Sequence, residues 1–304
     1  MIDDIVSVII TTYGRDFSDI LPAIRSVFAQ TYKNYEVILV DDNGLGSEMQ
    51  KKIEKSIGIS EYKDRIKYVP NIKNSGAQIS RNNGILHSSG KFIAFLDDDD
   101  DWDSKKLGLQ VGSFSDETVA LVYSKGWDIT LGDDGSKIIE KPYNMSGSFI
   151  TELGFADLSY GDYIGTTTQA MVRKAALAKT GLFDIMQPAR QDYEMWIRIS
   201  QFYRCVGVDE YLFRHYHHSG EQISKSEKKN IIGLSNIYRK YHKKMSFTAR
   251  WHLLYLITKS CIKEHKAVKL LNFGTRMLGY FLLAQCFDRK EYKKRVQLHK
   301  KRLG

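Results

Sequence analysis

Cysteine is scarce. Cys205, Cys261 and Cys286 are the three present, far apart and odd in number, so neither a disulfide framework nor a cysteine-ligated metal is supported and a reducing compartment fits. Proline is nearly as rare, four in 304 residues, and with abundant Lys, Ile and Tyr this suits a bacterial source. No apolar run is long. The stretches Trp251 to Ile257 and Met277 to Phe287 fall short of the roughly 20 apolar residues that span hydrocarbon, so no transmembrane helix is expected. The opening MIDDIVSVIITTYGRD sets acidic residues where a signal peptide carries basic ones, and no export is expected. Neither GxxxxGK[ST] nor GxGxxG follows the first apolar run, which argues against a P-loop ATPase and against a dinucleotide-binding oxidoreductase.

What is present is a folded composition, 42% hydrophobic and 27% charged, on a chain long enough for one large or two ordinary domains. The net charge of +9 conceals an asymmetry. Residues 1–224 hold 24 Lys and Arg against 32 Asp and Glu, a balance of −8, whereas residues 225–304 hold 21 against 4, a balance of +17. An acidic body with a basic end points to a polyanionic partner, nucleic acid or a membrane surface. No nucleic-acid module accompanies the charge, so no nucleic-acid partner is expected.

The first hundred residues alternate short β-branched runs with longer amphipathic ones. Val6 to Ile10, Tyr35 to Val40, Ile66 to Val69 and Phe92 to Leu96 read as strands. Between them, helices are expected from Ser18 as cap, with Leu21, Ile24, Val27 and Phe28 at helical spacing and Pro22 in the first turn, then over Ser47 to Ile57 and Ser75 to His87. This alternation implies an α/β fold, a mostly parallel sheet with helices on both faces. Leu121 to Tyr123 and Gln169 to Val172 read as further strands, and the polar stretch Asp157 to Thr168 is placed to shape an acceptor pocket.

Ligands of such sheets bind outside the carboxyl ends of the strands. Three polar clusters fall there: Thr11-Thr12-Tyr13, Asp41-Asp42-Asn43 and the run Asp97 to Asp101 within FLDDDDDWD. Taken alone, Asp41 and Asp42 are common turn residues. Three clusters at three strand ends make a rim. Five consecutive aspartates repel one another, so a cation is expected among them, and Mg²⁺ or Mn²⁺ with carboxylate, water and phosphate ligands fits better than calcium. An EF-hand beginning at Asp97 would need Gly at its sixth position and Glu at its twelfth, where Trp102 and Gly108 stand. Asp100, Asp101 and Asp103 are expected to stay partly solvated, with Asp103 or Ser104 capping the next helix.

The ordered set VSVIITTYGR (6–15), SVFAQTY (26–32), EVILVDDNG (36–44), NSGAQISRNNGI (74–85), GKFIAFLDDDDDW (90–102) and RQDYEMWIR (190–198) resembles the inverting glycosyltransferases of family two, which adopt the GT-A fold. The resemblance implies that Thr11, Thr12, Tyr13, Arg15, Asp41 and Asp42 line a nucleotide-sugar pocket that Asn74 and Arg81 close from the following helix. It also implies Asp97 and Asp98 toward the donor, Asp99 on Mn²⁺ or Mg²⁺, Asp192 as general base, and a histidine, His217 ahead of His218, as a further metal ligand. Gly14 stands where Asn is usual in the family and Gln191 where Glu is common. Independently of the resemblance, Trp196 and Ile199 at i+4 and i+7 put Asp192 near a helix start, where the dipole favours an ionised carboxylate.

These expectations assemble into a GT-A catalytic domain over 1–224, divided into a nucleotide-binding half, 1–103, and an acceptor-binding half, 104–224, followed by a basic helical region, 225–304. In that region Trp251, Leu254 and Ile257, then Leu270, Leu271, Phe273, Leu278 and Phe281, recur at helical spacing among Lys and Arg. Such helices either lie on anionic lipid or pack on the body with a solvated basic face, and the first is favoured. The implied activity is metal-dependent inverting transfer from a nucleoside-diphosphate sugar, a UDP-sugar foremost, to a hydroxyl of a glycan or lipid-linked acceptor in surface polysaccharide or glycoconjugate synthesis. The expected location is cytoplasmic, at the inner face of the cell membrane. The rivals are a nucleotidyltransferase, whose glycine-rich basic loop TTYGRD does not resemble, and a non-catalytic nucleotide-binding membrane scaffold.

Overall fold

The structure is a computed structural model that describes residues 4–132, 137–143, 149–217 and 226–264. Its elements follow in order as β1 (Val6–Thr12), α1 (Phe17–Phe28), β2 (Tyr35–Asp41), α2 (Glu48–Ile59), β3 (Ile66–Pro70), α3 (Ala77–Leu86), β4 (Phe92–Asp97), β5 (Asp101–Trp102) and α4 (Lys106–Gly112). The second part continues with β6 (Val119–Leu131), β7 (Lys137–Pro142), β8 (Glu152–Leu153), α5 (Phe155–Tyr160), a 3-10 turn at Thr167–Gln169, β9 (Met171–Arg173), α6 (Lys174–Thr180), α7 (Gln191–Ser200), β10 (Arg204–His217), α8 (Glu227–Tyr241) and α9 (Phe247–Glu264).

One sheet runs β3-β2-β1-β4-β9-β6-β10-β5, with β7 on β6 and β8 on β10. Strands β1 to β4 pair in parallel, as their near-continuous apolar runs require of strands covered on both faces. Beyond β4 the sheet is mixed: β9 is antiparallel to both β4 and β6, and β6 is parallel to β10. The parallel register sets Thr11 beside Asp97 and Thr12 beside Asp41, which gathers three strand ends on one rim.

Two apolar layers sandwich the sheet. Val8, Ile10, Leu39 and Leu96 face α1 and α2 with Ile20, Ile24 and Ile53, while Ile9, Ile38 and Phe95 face Ile85, Trp196 and Leu253 on the other side. Helix α1 begins earlier than the Ser18 expectation. Asp16 is its N-cap, with the Asp19 carboxylate accepting the Asp16 N–H at 3.1 Å, so Pro22 falls beyond the first turn. The helix expected over Ser47 to Ile57 is α2, with Ser47 as its N-cap, the hydroxyl accepting the Gln50 N–H at 3.1 Å. Neither Asp103 nor Ser104 caps α4. The Asp103 carboxylate closes a local turn on the Lys105 N–H, and the Leu107 N–H instead donates to Oε1 of buried Gln30, just past α1.

Helices α8 and α9 pack on the acceptor side. Leu234, Ile237 and Leu253 are buried there, His252 meets the Tyr160 carbonyl at 2.6 Å, and Tyr241 and Lys240 both bond to Glu194 of α7. Over 226–264 the basic helices therefore pack on the body, with several Lys and Arg left exposed. The apolar positions Leu270 to Phe281 lie outside the described residues. No helix among the described residues is long and apolar enough to cross a membrane.

Candidate active site

The turn from β1 into α1 needs a positive φ, met by Gly14 at 69°, whose N–H donates to Asn43 Oδ1 at 2.8 Å. That turn delivers Arg15 to the aspartate run, where its Nη2 donates to Asp99 Oδ2 at 2.8 Å and its Nε lies 3.2 Å from Asp98 Oδ1. Tyr13 stands out from the rim, 59% exposed. At the end of β2, buried Asp41 accepts from Tyr68 Oη at 2.6 Å and from the Asn43 N–H at 2.8 Å. Burial, then the neighbouring Asp41, raises the Tyr68 phenol and keeps it a neutral donor. Asp42 turns inward: it accepts Asn71 Nδ2 at 2.7 Å and the Ser75 and Gly76 N–H groups at 2.8 and 2.7 Å, pinning the loop before α3. Asn74 is exposed in that loop and does not belong to the helix it was expected to approach from.

Each aspartate of the run has its own surroundings. Asp97 accepts Arg81 Nη2 at 2.6 Å, with the Thr166 and Thr167 hydroxyls at 3.4 Å. Burial pushes its carboxyl up, but the Arg81 charge and hydrogen bond outweigh this and hold it below the usual range. Asp98 has the reverse balance: burial dominates the Thr12 hydroxyl and Arg15 and lifts it to about 7. The expectation of partial solvation holds for Asp101 and Asp103 and fails for Asp100. Asp100 is 1% exposed and bonds to Thr168 Oγ1 at 2.6 Å, His215 Nδ1 at 3.0 Å and the Tyr216 N–H at 3.3 Å. Asp101 accepts Arg214 Nε at 2.6 Å and Tyr216 Oη at 2.9 Å. The antiparallel pairing of β5 with Phe213 and Arg214 of β10 brings these partners in.

His217 meets a different carboxylate from the one expected. Its Nε2 lies 2.6 Å from Asp128 Oδ1, and the ligand atoms of Asp128, His215 and His217 all fall within 4.8 Å of one another. Asp99 stands outside that set, on Arg15. Strands β6 and β10 create the cluster through their parallel register, His215 beside Asp128. Asp128 Oδ1 is buried and accepts no well-directed hydrogen bond, despite the close imidazole. A carboxylate oxygen in that condition, with two imidazoles at hand, is a donor set able to hold a divalent cation. His218 lies outside the described residues.

On the acceptor side Asp192 occupies the first turn of α7, partly exposed, its Oδ1 accepting the Tyr193 N–H at 2.7 Å. The helix start alone would favour ionisation, but burial outweighs the Tyr193 hydrogen bond and the Arg81 and Arg190 charges, and the carboxyl is raised. Asp162, on the loop after α5, is lifted to about 7 by burial and by Asp192 beside it. The stretch expected to shape an acceptor pocket thus supplies Asp162 near the base position and Thr166 to Thr168 against Asp97 and Asp100.

Of the residues anticipated from sequence, the structure brings together Arg15 with Asp98 and Asp99, and Arg81 with Asp97; it leaves Tyr13 and Asn74 exposed and turns Asp42 away. Asp128 and His215 were missed, and no site role was expected of Asp100, Asp162 or Arg190, although these three lie in stretches that the sequence singles out.

Residues 7–181 match the profile of Glycosyl transferase family 2. Among similar proteins, a UDP-Glc:alpha-D-GlcNAc-diphosphoundecaprenol beta-1,3-glucosyltransferase, WfaP of Escherichia coli, is 27% identical over 78% of this chain and 86% of its own length. A second Escherichia coli enzyme described by the same reaction, WfgD, is 35% identical over 40% of this chain and 46% of its own. Among solved structures, S. aureus TarS 1-349 in complex with UDP-GlcNAc superposes with a TM-score of 0.61 at 16% identity, over 92% of this chain and 79% of that one. A Pyrobaculum calidifontis mannosyltransferase, PcManGT, solved with GDP-Man and Mn²⁺, gives 0.57 at 14% identity over 92% and 83%.

Proposed function

The chain belongs to glycosyl transferase family 2, is an inverting glycosyltransferase with the GT-A fold, and on that premise we propose that it moves a sugar from a nucleoside diphosphate, UDP foremost, to a hydroxyl of a lipid-linked glycan in polysaccharide synthesis. The observation that carries the reading is the facing of two unlike carboxylate groups. One is the aspartate run at the end of β4, tied to cations from several elements; the other is Asp192, raised and partly open to solvent across from it. Residues 1–103 are taken as the donor half and 104–224 as the acceptor half.

In the proposed reaction Asp192 accepts the proton of the acceptor hydroxyl as that oxygen attacks the anomeric carbon, and the nucleoside diphosphate departs from the opposite face, inverting the centre. A carboxyl raised toward neutral pH is better matched to this transfer than an ordinary aspartate. Thr11, Thr12, Tyr13 and Asp41 flank the nucleoside, while Arg15 and Arg81 are the cations nearest the departing diphosphate. Asp99 or, apart from it, the Asp128–His215–His217 group would hold the Mn²⁺ or Mg²⁺, which supplies Lewis-acid neutralisation of the leaving group when bound. The basic faces of α8 and α9, with exposed Lys228, Lys229, Arg239 and Lys259, suit an anionic membrane surface on which a lipid-linked acceptor is presented.

The test is a thermal titration with UDP, GDP, CDP and dTDP, each with and without Mn²⁺, on the wild type and on Asp99→Ala. A ligand at a hundredfold excess over its Kd stabilises by about 2.7 kcal/mol, readily resolved. One diphosphate stabilising only with metal, and only with Asp99 intact, is the expected outcome. No stabilisation by any of them would remove the donor site from the aspartate run.

A further inference from the structure

The turn between α6 and α7 carries Ile185 and Met186 at its tip, 59% and 77% exposed. A lone exposed aliphatic is ordinary, but these two are adjacent and the turn beneath them is fixed on both sides. Asp184 accepts the Met186 N–H on Oδ1 at 2.9 Å and Lys240 Nζ of α8 on Oδ2 at 2.5 Å, and its carbonyl accepts the Gln187 N–H at 3.1 Å. Asn82 of α3 exchanges two hydrogen bonds with the Phe183 backbone, both at 2.9 Å, and Gln78 Nε2 donates to the Gln187 carbonyl at 2.6 Å. Buried Gln187 in turn donates from Nε2 to the Gly233 carbonyl of α8 at 3.0 Å. The exposure of the pair belongs to a pinned backbone, with no slack for folding the two side chains inward.

Helix α8 borders this turn from Gly233 to Lys240, and its flank beside that contact is cationic. From Lys228 to Phe247 the chain holds no Asp or Glu. Lys229, Ile232, Arg239 and Lys240 stand exposed on that flank at helical spacing, with exposed Lys243 just past the helix. An aliphatic pair on a fixed turn, bordered by cations with no anion among them, has the chemistry of an anionic bilayer interface: apolar tips enter the boundary of headgroups and acyl chains while cations stay at the phosphates. A second copy of the chain fits poorly. A two-fold contact through this surface would set cations against cations, and two aliphatic side chains fall far short of the roughly 1,200 Å² that a stable interface buries. A nucleic acid would bind the cations and leave the aliphatic pair in water. We propose that the Ile185–Met186 turn and the adjoining cationic flank of α8 form the surface by which the protein seats on an anionic bilayer, with Ile185 and Met186 inserted below the headgroups. This rests on the reading of a membrane surface as the place of the acceptor, and it goes further in naming the side that faces lipid. The same turn is bonded to α3, which carries Arg81, and leads into α7, which carries Asp192, so seating holds the candidate site at a fixed height over the bilayer.

The experiment is sedimentation of the full chain with vesicles of phosphatidylglycerol and phosphatidylcholine in equal parts, and with phosphatidylcholine alone as the uncharged control. Wild type should bind the anionic vesicles and be released by high salt. Ile185→Ser combined with Met186→Ser should weaken that binding about tenfold, and Arg239→Gln and Lys243→Gln by about fivefold each. In Met186→Trp, lipid brominated on its acyl chains should quench a component of the tryptophan fluorescence that is absent from wild type. The Tm of each variant, read alongside, separates lost binding from lost fold. Wild type that binds anionic vesicles while the double serine variant binds equally well and Met186→Trp goes unquenched overturns the turn as the seating surface and leaves the membrane reading in place. Wild type that binds neither vesicle overturns the membrane reading itself, and the proposal with it. A lipid-free dimer that the double serine variant abolishes would overturn the proposal in favour of a second copy of the chain.

Discussion

Asp100→Ala is the most demanding test of how the aspartate run is held. The carboxylate is 1% exposed, and its loss strands the Thr168 hydroxyl, the His215 ring and the Tyr216 N–H. Each stranded neutral group costs about 1 to 3 kcal/mol, and breaking a buried ion pair by removing one partner costs about 3 to 5 kcal/mol. The three share one network, so the costs do not add, and about 3 to 5 kcal/mol in total is expected. At roughly 2 to 4 °C per kcal/mol for a chain of this size, the Tm should fall by about 6 to 20 °C. Urea unfolding followed by tryptophan fluorescence is the assay, since Trp102 Nε1 donates to the Thr168 carbonyl at 3.0 Å beside the site. Exposed Asp64→Ala is the control, expected within about 0.5 kcal/mol of wild type. The pH dependence gives a second handle. Burial opposes the charged His215 ring, but Asp100, then Asp97 and Asp128, raise it to about 9. A histidine raised in the folded state contributes fully below its ordinary value and loses that contribution as pH climbs through about 9. The deficit of Asp100→Ala should therefore shrink as pH rises from about 6.5 to about 9. A loss under 1 kcal/mol, or one that grows with pH, would refute the account.

Two further outcomes follow from the same charges. In EDTA, Asp98 and Asp162, both raised to about 7 by burial first, bind more protons folded than unfolded. Wild-type stability should accordingly decline as pH rises from the ordinary aspartate value through about 7, as read from the Tm between pH 5 and 8; a rising Tm would contradict it. Glu194, 1% exposed, holds Arg198, Lys240 and Tyr241, and burial is outweighed there by Arg198 so that its carboxyl stays low. Glu194→Gln should cost about 3 kcal/mol by urea unfolding and speed proteolysis within α8, whereas unchanged proteolysis would show that α8 is not docked through Glu194.

The parallel half of the sheet was legible because its signals are local. Val6 to Ile10 and Phe92 to Leu96 announce buried strands by composition, and the stretch Ser47 to Ile57 announces α2. The β5–β10 and β6–β10 pairings are not local. They join residues more than eighty positions apart, so nothing near Asp100 in the sequence says that it meets His215, or near Asp128 that it meets His217. The α4 start failed for a related reason: Gln30, just past α1, supplies the acceptor that Asp103 or Ser104 was expected to provide. Charge state was the least legible property. A helix start and a buried loop pull Asp192 in opposite directions, and only the fold reveals that burial prevails.

Five adjacent carboxylates stay folded because the chain separates them onto different partners. Asp97 goes to Arg81 on α3, Asp98 and Asp99 to Arg15 after β1, Asp100 to His215 and Asp101 to Arg214 on β10. The partners differ in how firmly they hold. The Asp100 carboxylate is sealed, its side chain at 0% exposure, whereas the Arg15–Asp99 pair, at 29% and 24%, and the Arg214–Asp101 pair, at 43% and 17%, are open to water. An ion pair open to water is worth little, about 0 to 1 kcal/mol, because solvent replaces either partner cheaply. On the proposed function, a divalent cation held at Asp99 would displace Arg15, whose guanidinium, with a planar fork matched to phosphate oxygens, would then be available to the diphosphate. The sealed carboxylate keeps the loop in place while the open pairs can exchange, so the acidic run combines a fixed point with replaceable charges.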